Sequence, residues 1–209
     1  MKELVDRVMF IHVSLPGQHP ADEDLHTFPS MQEVAINLVT VLDMLGITDR
    51  GVVVMGEGAG ANIAARFAMY YPNRVRGVVL LNFHSANKRD DIDKKKQNYQ
   101  GNWELNMNNV KLYEDSFEAR GDITMTPLSK RTLVVLGAKS ICADESQDIL
   151  NDMKKDLCSM IRISEVENVV EEAPEQTADA ILLFFQALGL VPQIQRRVRE
   201  IMEEKRKVL

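Results

Sequence analysis

The chain has 209 residues, 45% of them apolar and 27% charged, and a formal net charge of −6. That length supports one domain with a real core, and the acidic balance argues against non-specific nucleic-acid binding as its main work. No apolar run reaches the roughly 18 residues needed to span a bilayer, the first six residues hold no apolar signal segment, and the two cysteines, Cys142 and Cys158, fit a reducing cytoplasm.

Residues 8–13 form a short apolar run rich in β-formers, closed by Pro16-Gly17, which predicts a buried strand and a turn. His12 would then be a satisfied buried histidine rather than a metal ligand. Residues 18–28 are a polar loop, and its Asp22, Glu23 and Asp24 read as a solvated turn in preference to a calcium site. Ser30 opens a helix, with Glu33 three residues on as a capping box. Met31, Val34, Ala35, Leu38, Val41, Leu42 and Leu45 follow at helical spacing, and Gly46 ends the run.

An all-apolar strand is expected over residues 51–55, a glycine-rich turn over 56–60, a helix over 61–71 stopped by Pro72, and a buried strand over 75–81. Beyond Ser85 the pattern dissolves into a mixed-charge excursion, with a short amphipathic helix at 110–120 that turns Leu112 and Phe117 inward. Strands follow at 132–136 and 158–163, with a helix at 146–157 between them. A last helix starts at Pro174, and Gly189 and Pro192 close it. Alternating strands and helices imply an α/β fold: a parallel sheet with helices on both faces, spanning residues 1–192, with a reduced cap at 85–128. Residues 193–209 make a charged helical tail.

The turn Gly56-Glu57-Gly58-Ala59-Gly60 admits several readings. Gly56, Gly58 and Ala61 fit a dinucleotide fingerprint, but the acidic residue due about 20 residues on is missing, and Asn82 ends that strand instead. The spacing also fits Gly-x-nucleophile-x-Gly, the elbow of an α/β-hydrolase. Gly58 then occupies the nucleophile position and has no side chain to attack with. A third reading is purely structural, with the glycines serving backbone approach.

In a hydrolase the acid follows a late strand and the histidine follows the last one. The acid is due near Ser140, with Asp144 and Glu145 a few residues later. The histidine is due about seven residues before Pro174, where Glu167 stands, and no histidine follows His84. Two essential groups are therefore missing independently. Two readings compete with loss of catalysis. One is a residual hydrolase using Ser14 or Ser85 with His84 or His19 as base. The other is a small-molecule module binding through Gln18, His19, Gly56, Glu57, Gly58 and His84. No cofactor and no metal is expected.

These segments resemble one family in order along the chain. The run from His12 through Pro16, Gly17 and Gln18 to His19 resembles the segment after an early strand of the N-myc downstream-regulated (NDRG) proteins. The stretch from Gly56 to Ala61 resembles their degenerate elbow, followed by a similar Arg66-Phe67-Ala68 helix and Pro72. Their next strand is similar to Val78-Val79-Leu80-Leu81-Asn82. A cap-to-core helix is matched by Asn109-Val110-Lys111-Leu112-Tyr113, Ser116-Phe117 and the Arg120-Gly121-Asp122-Ile123 that follows. The last helix is matched by Phe184-Phe185-Gln186-Ala187-Leu188-Gly189. The resemblance implies an α/β-hydrolase fold without catalysis, and a cytoplasmic role in signalling, stress response or growth control through protein partners. It leaves the oligomeric state open. Set against that fold, the chain starts late. Residues 8–13 and 51–55 either pair directly, or flank an unfilled slot with an exposed edge.

Overall fold

The computed structural model describes residues 8–83, 106–140, 143–151 and 153–191. Outside them lie His84, Ser85, Cys142, the first part of the expected cap and the tail at 193–209. The elements, in chain order, begin with α1 (Met31–Met44), β1 (Val52–Glu57), α2 (Ala59–Tyr70) and β2 (Val75–Leu81). They continue with α3 (Met107–Glu118), β3 (Thr132–Gly137), α4 (Ala143–Asn151), β4 (Cys158–Ile163), α5 (Val169–Glu172) and α6 (Pro174–Ala187). The four strands pair in parallel, in the order β1-β2-β3-β4.

Side chains alternate across this sheet, as the two-residue period of a strand requires. Val78, Leu80, Val134 and Leu136 point to one face, where they pack with Met31, Ala35, Ala64 and Phe67 of α1 and α2. Val79, Leu81, Leu133 and Val135 point to the other, against Val169 of α5 and Ile181, Phe184 and Phe185 of α6. Each such fully buried large side chain contributes about 1.5–3 kcal/mol, and β2 and β3 supply them to both faces of the sheet. The capping box expected at α1 is present. Glu33 N–H donates to Ser30 Oγ at 3.2 Å, and Ser30 N–H donates to the Glu33 carboxylate at 2.8 Å.

Several expectations are corrected. Residues 8–13 form no strand and pair with nothing in the sheet. Met9 is 83% exposed, Val13 is exposed, and Val8 touches one core while Leu15 reaches the other. A parallel strand needs a neighbour to hydrogen-bond, and the slot beside β1 is empty among the described residues. His12 is accordingly exposed and stacks on Phe10 at 6.3 Å rather than being buried. The helix expected at 146–157 begins and ends earlier, because a turn in which Leu157 N–H donates to Lys154 carbonyl leads into β4. The helix expected at 110–120 starts at Met107, where Asn106 caps it. In the helix starting at Pro174, as in β2 and β4, the expected starts hold.

Candidate functional site

The carboxyl ends of parallel strands are where α/β folds place their chemistry, and the glycine turn lies there between β1 and α2. Gly58 takes φ 53° and ψ −113°, the sharp backbone of an elbow. Its N–H donates to Leu81 carbonyl at 3.0 Å, and its own carbonyl accepts from Asn62 N–H at 3.2 Å. A Cβ built on Gly58 meets nothing within 4 Å, whereas one on Gly56 collides with the backbone of Gly60 and Ala61. Gly56 is thus the residue that lets α2 close onto β1, and Gly58 sits over open space. Such a turn offers the Ala59 N–H for an oxyanion but no nucleophilic atom.

Beside the elbow, polar side chains tie three strand ends together. Asn82, in the left-handed region at φ 45°, is buried. Its Nδ2 donates to Glu57 Oε1 at 2.9 Å and to Asn168 Oδ1 at 3.0 Å, while its Oδ1 accepts from Val169 N–H at 3.4 Å. Asn168 Oδ1 also accepts from the N–H groups of Val170 and Glu171, capping α5. The loop expected to carry a hydrolase histidine is therefore fastened to the end of β2. In that loop Glu167 is exposed, its N–H donates to Glu172 Oε1 at 3.1 Å, and its carbonyl lies hard against Gly137 at the end of β3. Ser140, at the position expected for the acid, donates its N–H to Gly137 carbonyl. Among the described residues, no hydrogen bond joins Gly58, Ser140 and the Glu167 side chain.

Gln18 and His19 lie on a separate loop. His19 is exposed and its hydrogen bonds are local: Nδ1 accepts from Ala21 N–H, and its own N–H donates to Asp22. What holds this loop is Asn109, fully buried at the start of α3. Its Nδ2 donates to the carbonyls of Gly17 at 2.7 Å and Glu23 at 3.0 Å, and its Oδ1 accepts from Leu25 N–H at 2.7 Å. Asn106 and Asn108 donate to the two oxygens of Asp24, and these bonds hold its carboxyl below the usual carboxylate range. The acidic loop is thus engaged by amides. Asn109, Tyr113 and Phe117 recur every four residues along one face, and Tyr113 and Phe117 pack onto the core. Leu112, expected inward, is only half-buried.

Cys158 is half-buried at the start of β4, and burial pushes its thiol up, away from nucleophilic reactivity. Two surface depressions lie away from the elbow. One runs along the amino ends of β2, β3 and β4, and the other lies between residues 26–30 and α3. The sequence reading missed the roles of Asn109 and Asn168. A lone asparagine carries no periodic signal, although an Asn three residues before Glu171 is a helix-cap pattern in hindsight.

The comparisons agree with this geometry. A family profile described as the Ndr family matches residues 1–100 and 85–192. An uncharacterized protein of Caenorhabditis elegans, ZK1073.1, is 26% identical over 250 residues, covering 98% of this chain and 76% of its own length. NDRG1 of Xenopus tropicalis is 24% identical over 237 residues, 92% of this chain but 60% of that protein. NDRG3 of Xenopus laevis is 26% identical, and the chain spans 64% of its length. Among solved structures, a carboxylesterase of the thaumarchaeon Nitrososphaera gargenis superposes with a TM-score of 0.67 at 13% identity, covering 84% of this chain and 79% of its own. E-2-(acetamidomethylene)succinate hydrolase superposes at 0.64 with 16% identity, covering 80% and 78%. These likenesses show an α/β-hydrolase fold, as expected from the elbow.

Proposed function

We propose that this chain, which belongs to the Ndr family, is a non-catalytic α/β-hydrolase-fold protein that works through contacts with other proteins in the cytoplasm, in signalling, stress response or growth control. The observation that carries the reading is Gly58: the elbow keeps its backbone, and the nucleophile position is bare. Support comes from the Asn82–Asn168 tie, which binds the histidine-position loop to the sheet by amides that neither donate nor accept protons at neutral pH. Further support comes from Glu167, which stands at the histidine position with its side chain exposed and, among the described residues, not hydrogen-bonded to Gly58 or Ser140.

The test is incubation of the purified chain with short-chain acyl esters and with a fluorophosphonate serine probe. We expect no turnover above the uncatalysed rate and no labelling. Turnover that Ser14→Ala or His19→Ala abolishes would overturn the proposal and favour a hydrolase with an off-pattern nucleophile.

A further inference from the structure

Because all four strands run parallel, the amino ends lie along one margin of the sheet and the carboxyl ends along the other. The charges separate in the same way. At the amino margin Arg76 and Lys130 stand two residues before the register partners Val78 and Thr132, so they are neighbours across β2 and β3. Arg131 is next in line, and Lys155 stands two residues before Leu157. Arg76, Lys130 and Arg131 line a groove together with Leu157 and Leu188, and Lys155 stands outside that lining. Arg131 Nη1 donates to Ala187 carbonyl at the end of α6, which leaves Arg76, Lys130 and Lys155 without an ion pair among the described residues. Asp49 and Asp156 stand at the same margin, and Asp43 is taken by Arg74.

The carboxyl margin is the complement. Residues 164–175 form a ridge along which Glu167, Glu171 and Glu175 are exposed. Lys139 at that margin is taken by Glu165. Val170, 38% exposed, sits among these acids as an apolar point. Helix α6 starts at this ridge and ends at the groove. The strands between are six or seven residues long, roughly 20 Å, so the ridge cannot reach its own groove.

We infer that the acidic ridge of one copy docks into the basic groove of a second copy, carboxylates on Arg76 and Lys130 and Val170 against Leu157 and Leu188. The occupant is set by charge complementarity: the groove is cationic in a chain whose net charge is −6, and the exposed acids with an apolar centre belong to the chain itself. Groove and ridge are different surfaces, so the contact is heterologous, and each bound pair keeps one free groove and one free ridge. This inference does not depend on whether the fold hydrolyses anything.

Sedimentation velocity of the full 209-residue chain over a concentration series tests it. At about 0.1 M salt, where screening reaches only about 10 Å, the mean mass rises with concentration, and at about 1 M salt, where it falls to about 3 Å, the mass returns to that of a monomer. Reversing the groove (Arg76→Glu with Lys130→Glu) or the ridge (Glu171→Lys with Glu175→Lys) weakens association by on the order of tenfold or more. An equimolar mixture of the two reversed variants associates again, since one has two acidic margins and the other two basic ones. Circular dichroism of each variant confirms the fold, with Lys130→Gln as a milder change. A chain that stays monomeric overturns the inference. So does association indifferent to salt or to both reversals, or a mixture of reversed variants that remains monomeric.

Discussion

Two glycines two positions apart do different work, and substitution separates them. A methyl group at Gly56 has nowhere to go except into the backbone of Gly60, so Gly56→Ala must lever α2 off β1. A methyl at Gly58 meets only space, and its cost is the backbone conformation alone, about 1–3 kcal/mol. We therefore expect denaturant unfolding to rank the variants with Gly56→Ala clearly below Gly58→Ala, and Gly58→Ser to fold without becoming reactive to the serine probe. Equal losses at the two positions would contradict this account. Asn82 belongs to the same scale: its positive φ suits an asparagine better than most residues, and its two amide atoms each find partners.

Among the elements, α1 shows what a local rule delivers. The Ser30–Glu33 box reads directly from the sequence and is made in the fold, so Ser30→Ala should lower stability by about 1 kcal/mol. The hydrogen bonds from Ser30 hold the Glu33 carboxyl below its ordinary range. A carboxyl lowered by folding contributes stability above its unfolded pKa and loses it as pH falls through the folded one. The gap between the native chain and Glu33→Gln should accordingly close on acidification, measured by thermal unfolding across pH 7 to 3. Helix α3 shows what local rules miss. Leu112 and Phe117 were expected as its inward face and Phe117 does pack on the core, yet a buried amide seats the helix, because Asn109 answers three backbone groups of a distant loop. Asn109→Leu should expose Leu25 N–H to rapid hydrogen exchange and cost about 1–3 kcal/mol. The buried strands β2 and β3 were legible as apolar runs, and the elbow as glycine spacing. Residues 8–13 looked like a strand for the same reason, and failed because pairing is a property of the neighbour, which composition cannot supply. The amide ties around Asn82 and Asn168 link residues 86 apart, so no window of sequence contains them.

For the whole molecule, the open flank of β1 is the most consequential feature of the sheet. Residues 52–54 are half-buried and Met55 is 46% exposed, so an extended apolar edge faces outward among the described residues. Unpaired edges invite other strands. Met55→Lys should slow aggregation on mild heating, followed by light scattering, with stability changed by no more than about 0.5 kcal/mol. Unlike the docking of ridge into groove, edge association would not weaken in salt, which keeps the two behaviours apart. The tie between Asn82 and Asn168 has a further consequence for installing chemistry at this elbow. A serine placed at position 58 would face a loop without a histidine, and a histidine placed at 167 would sit on a loop that its neighbour Asn168 ties to the end of β2. Neither change alone would place a nucleophile and its base together. The buried amides act as a latch on that loop, so a hydrolase built on this elbow would need the latch opened as well as the side chains supplied.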